Sequence, residues 1–248
     1  MANTGSSAII SHLKKLTKYV DIIGFEPFDN FHMKKPLIGE NLTMIFDLLF
    51  SKNLTNDFAY YKMNSIYKIY SDKEIDKFDK KKAIGFKMRF RNWETIETPI
   101  IKNNVVVFIL VRQDVFKWAI STYDVDCNQF KLIKGDIEKD PTIKIDIEKF
   151  KSILRICHKN LEERYGLIDM LRKKNVDVCP LYYEEFCNDK KLFFKKMFDK
   201  LQIKLTNDEL TEFANKPNYF KKVHSDDLKK YVTNYDELKV EFGSKYVF

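Results

Sequence analysis

The sequence predicts an α/β fold: a single domain over residues 1–248, with a mainly parallel central sheet flanked by helices. Three observations carry this expectation. The first is the run Val105-Val106-Val107-Phe108-Ile109-Leu110-Val111. It is wholly apolar and mostly β-branched, the pattern of a strand buried on both faces. The second is the stretch directly after that run. Arg112-Gln113-Asp114 forms a polar turn, and helical spacing then runs from Val115 to about Tyr123. The third is the order of elements. Short apolar stretches alternate with helical ones, without internal repeats or a linker-like shift in composition, as in a parallel sheet covered by helices.

Each element has a local reason. From Ser6 to about Tyr19, Ile9, Ile10, Leu13 and Leu16 form the apolar stripe of a helix. Asp21 to Phe25 reads as a strand that ends before Glu26-Pro27, because the residue preceding a proline is driven into an extended conformation. A helix is expected near Leu42–Ser51. Asp72 to Lys82 is charge-rich and reads as a solvated helix or loop. Ala83 to Arg91 alternates, with Ile84, Phe86, Met88 and Phe90 on one face of a strand. Asp114 is suited to cap the helix after it. Ile147 to Lys174 is a long helix, and Asn175 to Tyr183 a strand carrying Val176, Val178, Leu181 and Tyr182. Two more helices are expected, at Asp189–Leu201 and Thr206–Asn215. Thr206-Asn207-Asp208-Glu209 has the form of a capping box.

Composition sets the outer bounds. Hydrophobic residues make up 44% and aromatics 15% of the chain, enough for a sizeable core and against wholesale disorder. Seven Gly and six Pro exclude a collagen-like architecture. Lys and Arg number 44 against 36 Asp and Glu, a formal net charge of +8. That balance favours an anionic partner without choosing between a nucleotide, a nucleic acid, a membrane surface and a sulfated product. No long uncharged apolar stretch predicts a transmembrane helix. Met1 to Ser7 lacks the basic and apolar regions of a secretory signal. Cys127, Cys157, Cys179 and Cys187 form no Cys-x-x-Cys pair, and the four His are scattered, so no metal site is expected. Each Cys is read as a small buried apolar residue in a reduced, cytoplasmic setting.

Two places could hold chemistry. Asn3-Thr4-Gly5-Ser6-Ser7 stands directly before a predicted helix. Free backbone N–H groups and the positive end of the helix dipole make such a place suited to a phosphate or sulfate. The nucleotide-triphosphatase pattern G-x-x-x-x-G-K-[ST] is absent. Arg112 leaves the buried strand at its carboxyl end, where ligands bind in open α/β sheets, and Ser121 lies two helical turns further on. A guanidinium fork suits a phosphate, and a hydroxyl can add one bond.

Together these segments resemble a family. Leu110 to Tyr123 is similar to the 3′-phosphate-binding segment of sulfotransferases that use 3′-phosphoadenosine 5′-phosphosulfate (PAPS), closest to bacterial and phage-like carbohydrate sulfotransferases with a pattern near R-x-D-x-x-x-x-A-x-S-x-Y. Thr4-Gly5-Ser6-Ser7 resembles the family's 5′-phosphosulfate loop. Gly24 to Asp29 resembles its Glu-Pro-Phe segment, Gly85-Phe86-Lys87 a G-x-K strand, and Leu181 to Phe186 its late Tyr-Glu segment. Asn128 to Lys131 and Asn234 to Leu238 are weaker echoes. The order and spacing fit from residue 3 to about 240. Asn3 stands where the family's loop usually has Lys or Arg, and the sequence starts at the loop, where the family has a buried first strand.

The resemblance implies a P-loop-nucleotide-hydrolase-like sulfotransferase fold and transfer of a sulfuryl group from PAPS to a hydroxyl or amine of a small-molecule or carbohydrate acceptor, without a metal. It implies that Thr4, Gly5, Ser6 and Ser7 hold the 5′-phosphosulfate and that Arg112 and Ser121 hold the 3′-phosphate, with Lys221 and Lys222 adding charge beside the nucleotide. Glu26 is the candidate general base, and Lys87 the candidate cation near the leaving oxygen. Tyr183 and Glu184 are expected to brace the sheet. Acceptor choice falls to His32–Lys82 and Asn128–Asp146. Asn3 motivates one alternative, a sulfotransferase-like protein that binds a nucleotide or glycan without turnover. A basic nucleic-acid-binding domain is the other. No helix shows the continuous Lys/Arg face with interleaved aromatics that it needs, so neither a nucleic acid nor a membrane is expected as partner. Oligomeric state is not legible.

Overall fold

The computed structural model describes residues 6–16, 20–23, 83–87, 93–128, 142–217 and 227–242. In chain order these form α1 (Ser6–Leu13), β1 (Val20–Ile23), β2 (Ala83–Phe86), α2 (Trp93–Lys102), β3 (Val107–Val111), α3 (Val115–Asn128) and α4 (Ile147–Lys173). Next come β4 (Val178–Tyr182), α5 (Tyr183–Asn188), α6 (Lys190–Lys200), α7 (Asn207–Asn215), α8 (Leu228–Tyr231) and α9 (Tyr235–Phe242). The fold mixes helix and strand, and its strand pairing is parallel. Among the described residues the expected central sheet consists of two small pairs, β1 with β2 and β3 with β4.

The pair β3–β4 divides two cores. Side chains alternate along a strand, and here both faces are covered. Ile109 and Val111 join Trp118 and Ile120 of α3, Phe150, Leu154 and Leu171 of α4, and Phe242 of α9. Phe108, Leu110, Cys179 and Leu181 join the other core, with Ile9 and Leu13 of α1, Phe186 of α5, Phe193, Phe194 and Phe198 of α6, and Phe213 of α7. Each fully buried Phe or Leu contributes about 1.5–3 kcal/mol of transfer free energy. These clusters, rather than the short ladder, hold the elements together.

The second core encloses a titratable group. His12 of α1 is fully buried. Its ring stacks on Phe194 at 4.9 Å and meets Phe213 edge-on at 4.8 Å. Its Nε2 donates to the Phe213 carbonyl at 2.7 Å. Burial holds its pKa below 6.5, and Lys15, Lys190 and Lys216 push it the same way; the bond to Phe213 opposes them.

Val107 N donates to Asp177 O at 2.8 Å. By the strand's two-residue alternation, the polar groups of Val107, Ile109 and Val111 therefore face β4, and those of Phe108 and Leu110 face away. The register Ile109↔Pro180 then turns the backbone nitrogen of Pro180 to the outer edge of β4, where a proline is tolerated.

Several boundaries differ from expectation. The apolar run at 105–111 yields a strand only from Val107. Asn104 has a φ of 50° and ends α2, and Val105 N donates to Ile100 O at 3.1 Å, closing the helix with a left-handed cap. Asn175 (φ 57°) ends α4 in the same way, through the bond from Val176 N to Leu171 O, so β4 begins only at Val178. Helix α2 has no counterpart in the sequence reading, since Pro99 lies within it. Helix α3 runs on to Asn128 rather than stopping near Tyr123, while α1 stops at Leu13, before Tyr19. Helix α4 and the capping box at Thr206 match the expectation. The helix near Leu42–Ser51, the stretch Asp72–Lys82 and the outer parts of the strands expected to reach Phe25 and Arg91 lie outside the described residues. No helix among the described residues is long and apolar enough to cross a membrane.

Candidate functional site

The carboxyl end of β3 runs straight into α3 through Arg112-Gln113-Asp114. Asp114 caps the helix: its Oδ1 accepts from Lys117 N at 2.8 Å. A second carboxylate reaches the same turn from across the sheet. Glu184, at the start of α5, accepts from Gln113 N and from Asp114 N, both at 3.0 Å through Oε1. Its Oε2 is buried without a hydrogen-bond partner among the described residues. Glu184, expected to brace the sheet, thus holds the turn that follows β3 and places negative charge at the positive end of α3.

Arg112 is half-buried beside this carboxylate, and its guanidinium lies over the Tyr183 ring at 5.0 Å. Burial lowers its pKa from the ordinary arginine value, while Tyr183, Glu184 and Asp114 support the charge. The group stays cationic, as arginine does in proteins. A planar cation held against a ring at a strand end can take an oxyanion in a forked contact.

Sequence reasoning missed a second guanidinium. Arg164 of α4 reaches around the edge of β3 that faces away from β4, and its Nη1 donates to the Leu110 carbonyl. It also lies over the Trp118 ring at 5.1 Å. Burial pushes its pKa down to about 10. Among the described residues it pairs with no carboxylate, and the ionisable neighbour favouring its charge is the Cys157 thiol. Its neighbour Tyr165 accepts a long contact from Gln113 Nε2 at 3.5 Å, so α4 meets both the end of β3 and the turn after it.

The remaining expected site residues are spread more widely. Ser121 is half-buried on α3, roughly 9 Å along the axis from the helix start at 1.5 Å per residue. Lys87 is half-buried immediately after the carboxyl end of β2. Ser6 and Ser7 form the first turn of α1. Thr4, Gly5, Glu26, Lys221 and Lys222 lie outside the described residues. Cys157 and Cys179 are buried as expected, but Cys187 is exposed, because it falls on the outer side of the short helix α5.

An open groove of about 940 Å³ runs beside the turn, lined by Gln113, Glu184, Glu185, Asn188, Lys195 and Lys196, among others. Its cations are matched: Lys196 pairs with Glu185 at 3.3 Å, and Lys195 with Asp199. Among the described residues no cluster of His, Cys, Asp or Glu could hold a metal ion. No family model, no curated protein and no solved structure matches the chain.

Proposed function

We propose that this chain is a PAPS-dependent sulfotransferase with a P-loop-like sulfotransferase fold, acting in a reducing, cytoplasmic setting on a hydroxyl or amine of a small-molecule or carbohydrate acceptor. One observation carries the reading. Arg112 leaves a parallel strand at its carboxyl end, desolvated against Tyr183, in a turn that Glu184 braces from across the sheet. The residues present fit a phosphate there, since two half-buried guanidinium groups flank the end of one strand.

PAPS, when bound, supplies a sulfuryl group on a phosphate leaving group. The chain's own residues bind, orient and move the proton. Arg112 and Ser121 hold the 3′-phosphate. The backbone N–H groups of Gly5 to Ser7, with the hydroxyls of Thr4, Ser6 and Ser7, hold the 5′-phosphosulfate. Lys222, with Lys221, adds cationic charge beside the nucleotide. Lys87 offsets charge at the leaving oxygen. Glu26 removes the acceptor's proton, a role that contributes about 10²- to 10⁴-fold. The rest is positioning and charge stabilisation.

The test is calorimetric binding of adenosine 3′,5′-bisphosphate. The wild-type chain is expected to bind, and Arg112→Ala to weaken that binding by tenfold or more, as loss of a charged hydrogen bond does (~1.5–3 kcal/mol). No binding by the wild-type chain would overturn the reading. Asn3, in place of a loop Lys or Arg, favours a second reading, in which a nucleotide or glycan binds without turnover. A mass-spectrometric screen for sulfate transfer separates the two.

A further inference from the structure

The two arginines at the end of β3 differ in one respect. Arg112 sits with Glu184 and Asp114 beside it. Arg164 is desolvated against a main-chain carbonyl and an indole face, and no carboxylate pairs with it among the described residues. Holding a cation out of water without a counter-charge is costly, so an anion that reaches it there offsets that cost.

The placement narrows what that anion is. Phe108 and Leu110 turn their side chains into the core that holds α5, so Arg112, next in the alternation, leaves β3 on that side and meets Tyr183 of α5. Arg164 comes from α4, which packs on the opposite face, and bonds the backbone of Leu110, two residues before Arg112. The two cations therefore flank one strand end from its two faces. The neighbouring groove offers no equivalent, because its lysines are already matched by carboxylates.

We propose that Arg164 is the second cation of an oxyanion site at the carboxyl end of β3, taking a doubly charged phosphate group: in a nucleotide, the 3′-phosphate and not the 5′-phosphate. Arg112 supplies the forked contact. Arg164 fixes the strand end through Leu110 and keeps there a positive charge that no described carboxylate neutralises. This rests on the PAPS reading for the nucleotide, but not for the anion. On that reading, Arg164 sets the preference for a nucleotide with a 3′-phosphate over one without it.

The experiment is calorimetry on wild type, Arg164→Gln, Arg164→Lys and Arg112→Gln, with three probes: adenosine 3′,5′-bisphosphate, adenosine 5′-monophosphate and inorganic phosphate. Arg164→Gln is expected to lose about tenfold or more in affinity for the bisphosphate, the scale of one charge-assisted contact, and little for the monophosphate. Arg164→Lys, which keeps the charge and a donor for Leu110, is expected to recover part of the loss, and it carries the test if the Gln variant does not fold. A merely structural arginine would weaken both nucleotides alike, and that result overturns the proposal. Wild-type affinity in Arg164→Gln alongside loss in Arg112→Gln also overturns it and leaves the PAPS reading standing. Binding of inorganic phosphate that depends on Arg164, with no binding of the bisphosphate, supports the proposal and overturns the nucleotide. A wild-type chain that binds none of the probes overturns both.

Discussion

Two basic side chains, one half-buried and one fully buried, lie on opposite sides of the β3–β4 pair, and each donates to a main-chain carbonyl. Arg164 bonds Leu110 on one side; His12 bonds Phe213 on the other. Burial lowers the pKa of both. The consequence is opposite, because the starting points differ. Arg164 starts far above neutrality, falls to about 10 and keeps its charge at neutral pH. His12 falls below 6.5 and is neutral there. The same desolvation gives a fixed charge at the carboxyl end of β3 and a proton-sensitive joint where α1 docks. Their surroundings fit these outcomes. Arg164 has an indole face, which favours a cation. His12 sits among phenylalanine rings with three lysines in its electrostatic environment, and all three oppose protonation.

The contrast can be broken most strongly at Phe194, which is fully buried and stacks on His12. Phe194→Ala is expected to cost about 3–5 kcal/mol in urea denaturation, the range for emptying a ring from a core. It also admits water to His12, so the pH dependence that His12 imposes on stability should shrink with it. Retained stability would mean that the ring cluster is not the support of α1.

Arg164→Gln comes next. It leaves the Leu110 carbonyl with a weaker donor and removes the contact with Trp118, a loss of about 1–3 kcal/mol. Since the arginine is charged throughout the range, that loss should be the same at pH 5.5 and pH 8. A loss that varies between those values would mean that the group titrates within the range.

The smallest effect is the one that titrates. The unfolded chain protonates His12 near 6.5, and the folded chain only at lower pH, so the unfolded state binds more protons in between. The contribution of His12 is therefore complete above about pH 6.5 and declines as pH falls from there through the lower folded value. The melting temperature of the wild type should drop across that window, and His12→Leu should flatten the drop. An unchanged slope in His12→Leu would assign the titration to another group.

Much of the scaffold is legible in the sequence because it obeys local rules. The apolar stripe of α4, the Asp114 cap and the Thr206 capping box need only nearby residues, and all three are present in the structure. The misses have equally physical causes. Asn104 and Asn175 stop helices by adopting left-handed backbone, which apolar periodicity does not register, so the adjoining valines read as strand. Arg164 looks like one charge among many beside Glu162 and Glu163. Its spacing is the available signal. Phe150, Leu154, Cys157, Leu161, Ile168 and Leu171 recur at three and four residues, and Arg164 fills the gap in that stripe. His12 sits likewise three residues after Ile9, within the stripe of α1. A polar residue on an apolar stripe is the informative exception. Of the candidate site, the place of Arg112 at the carboxyl end of β3 is readable from the sequence, while the turn that Glu184 holds is not. The carbonyl that Arg164 bonds is not, since it belongs to a residue 54 positions away.

Pro180 has a further consequence. Its ring nitrogen sits midway along the outer edge of β4 and has no proton to give. A strand from another molecule that tried to extend the sheet there would meet a gap in its ladder at the centre of a five-residue edge. Edges of this kind resist the edge-to-edge stacking through which β proteins aggregate at high concentration. One imino acid thus interrupts the hydrogen-bonding ladder along that edge of β4.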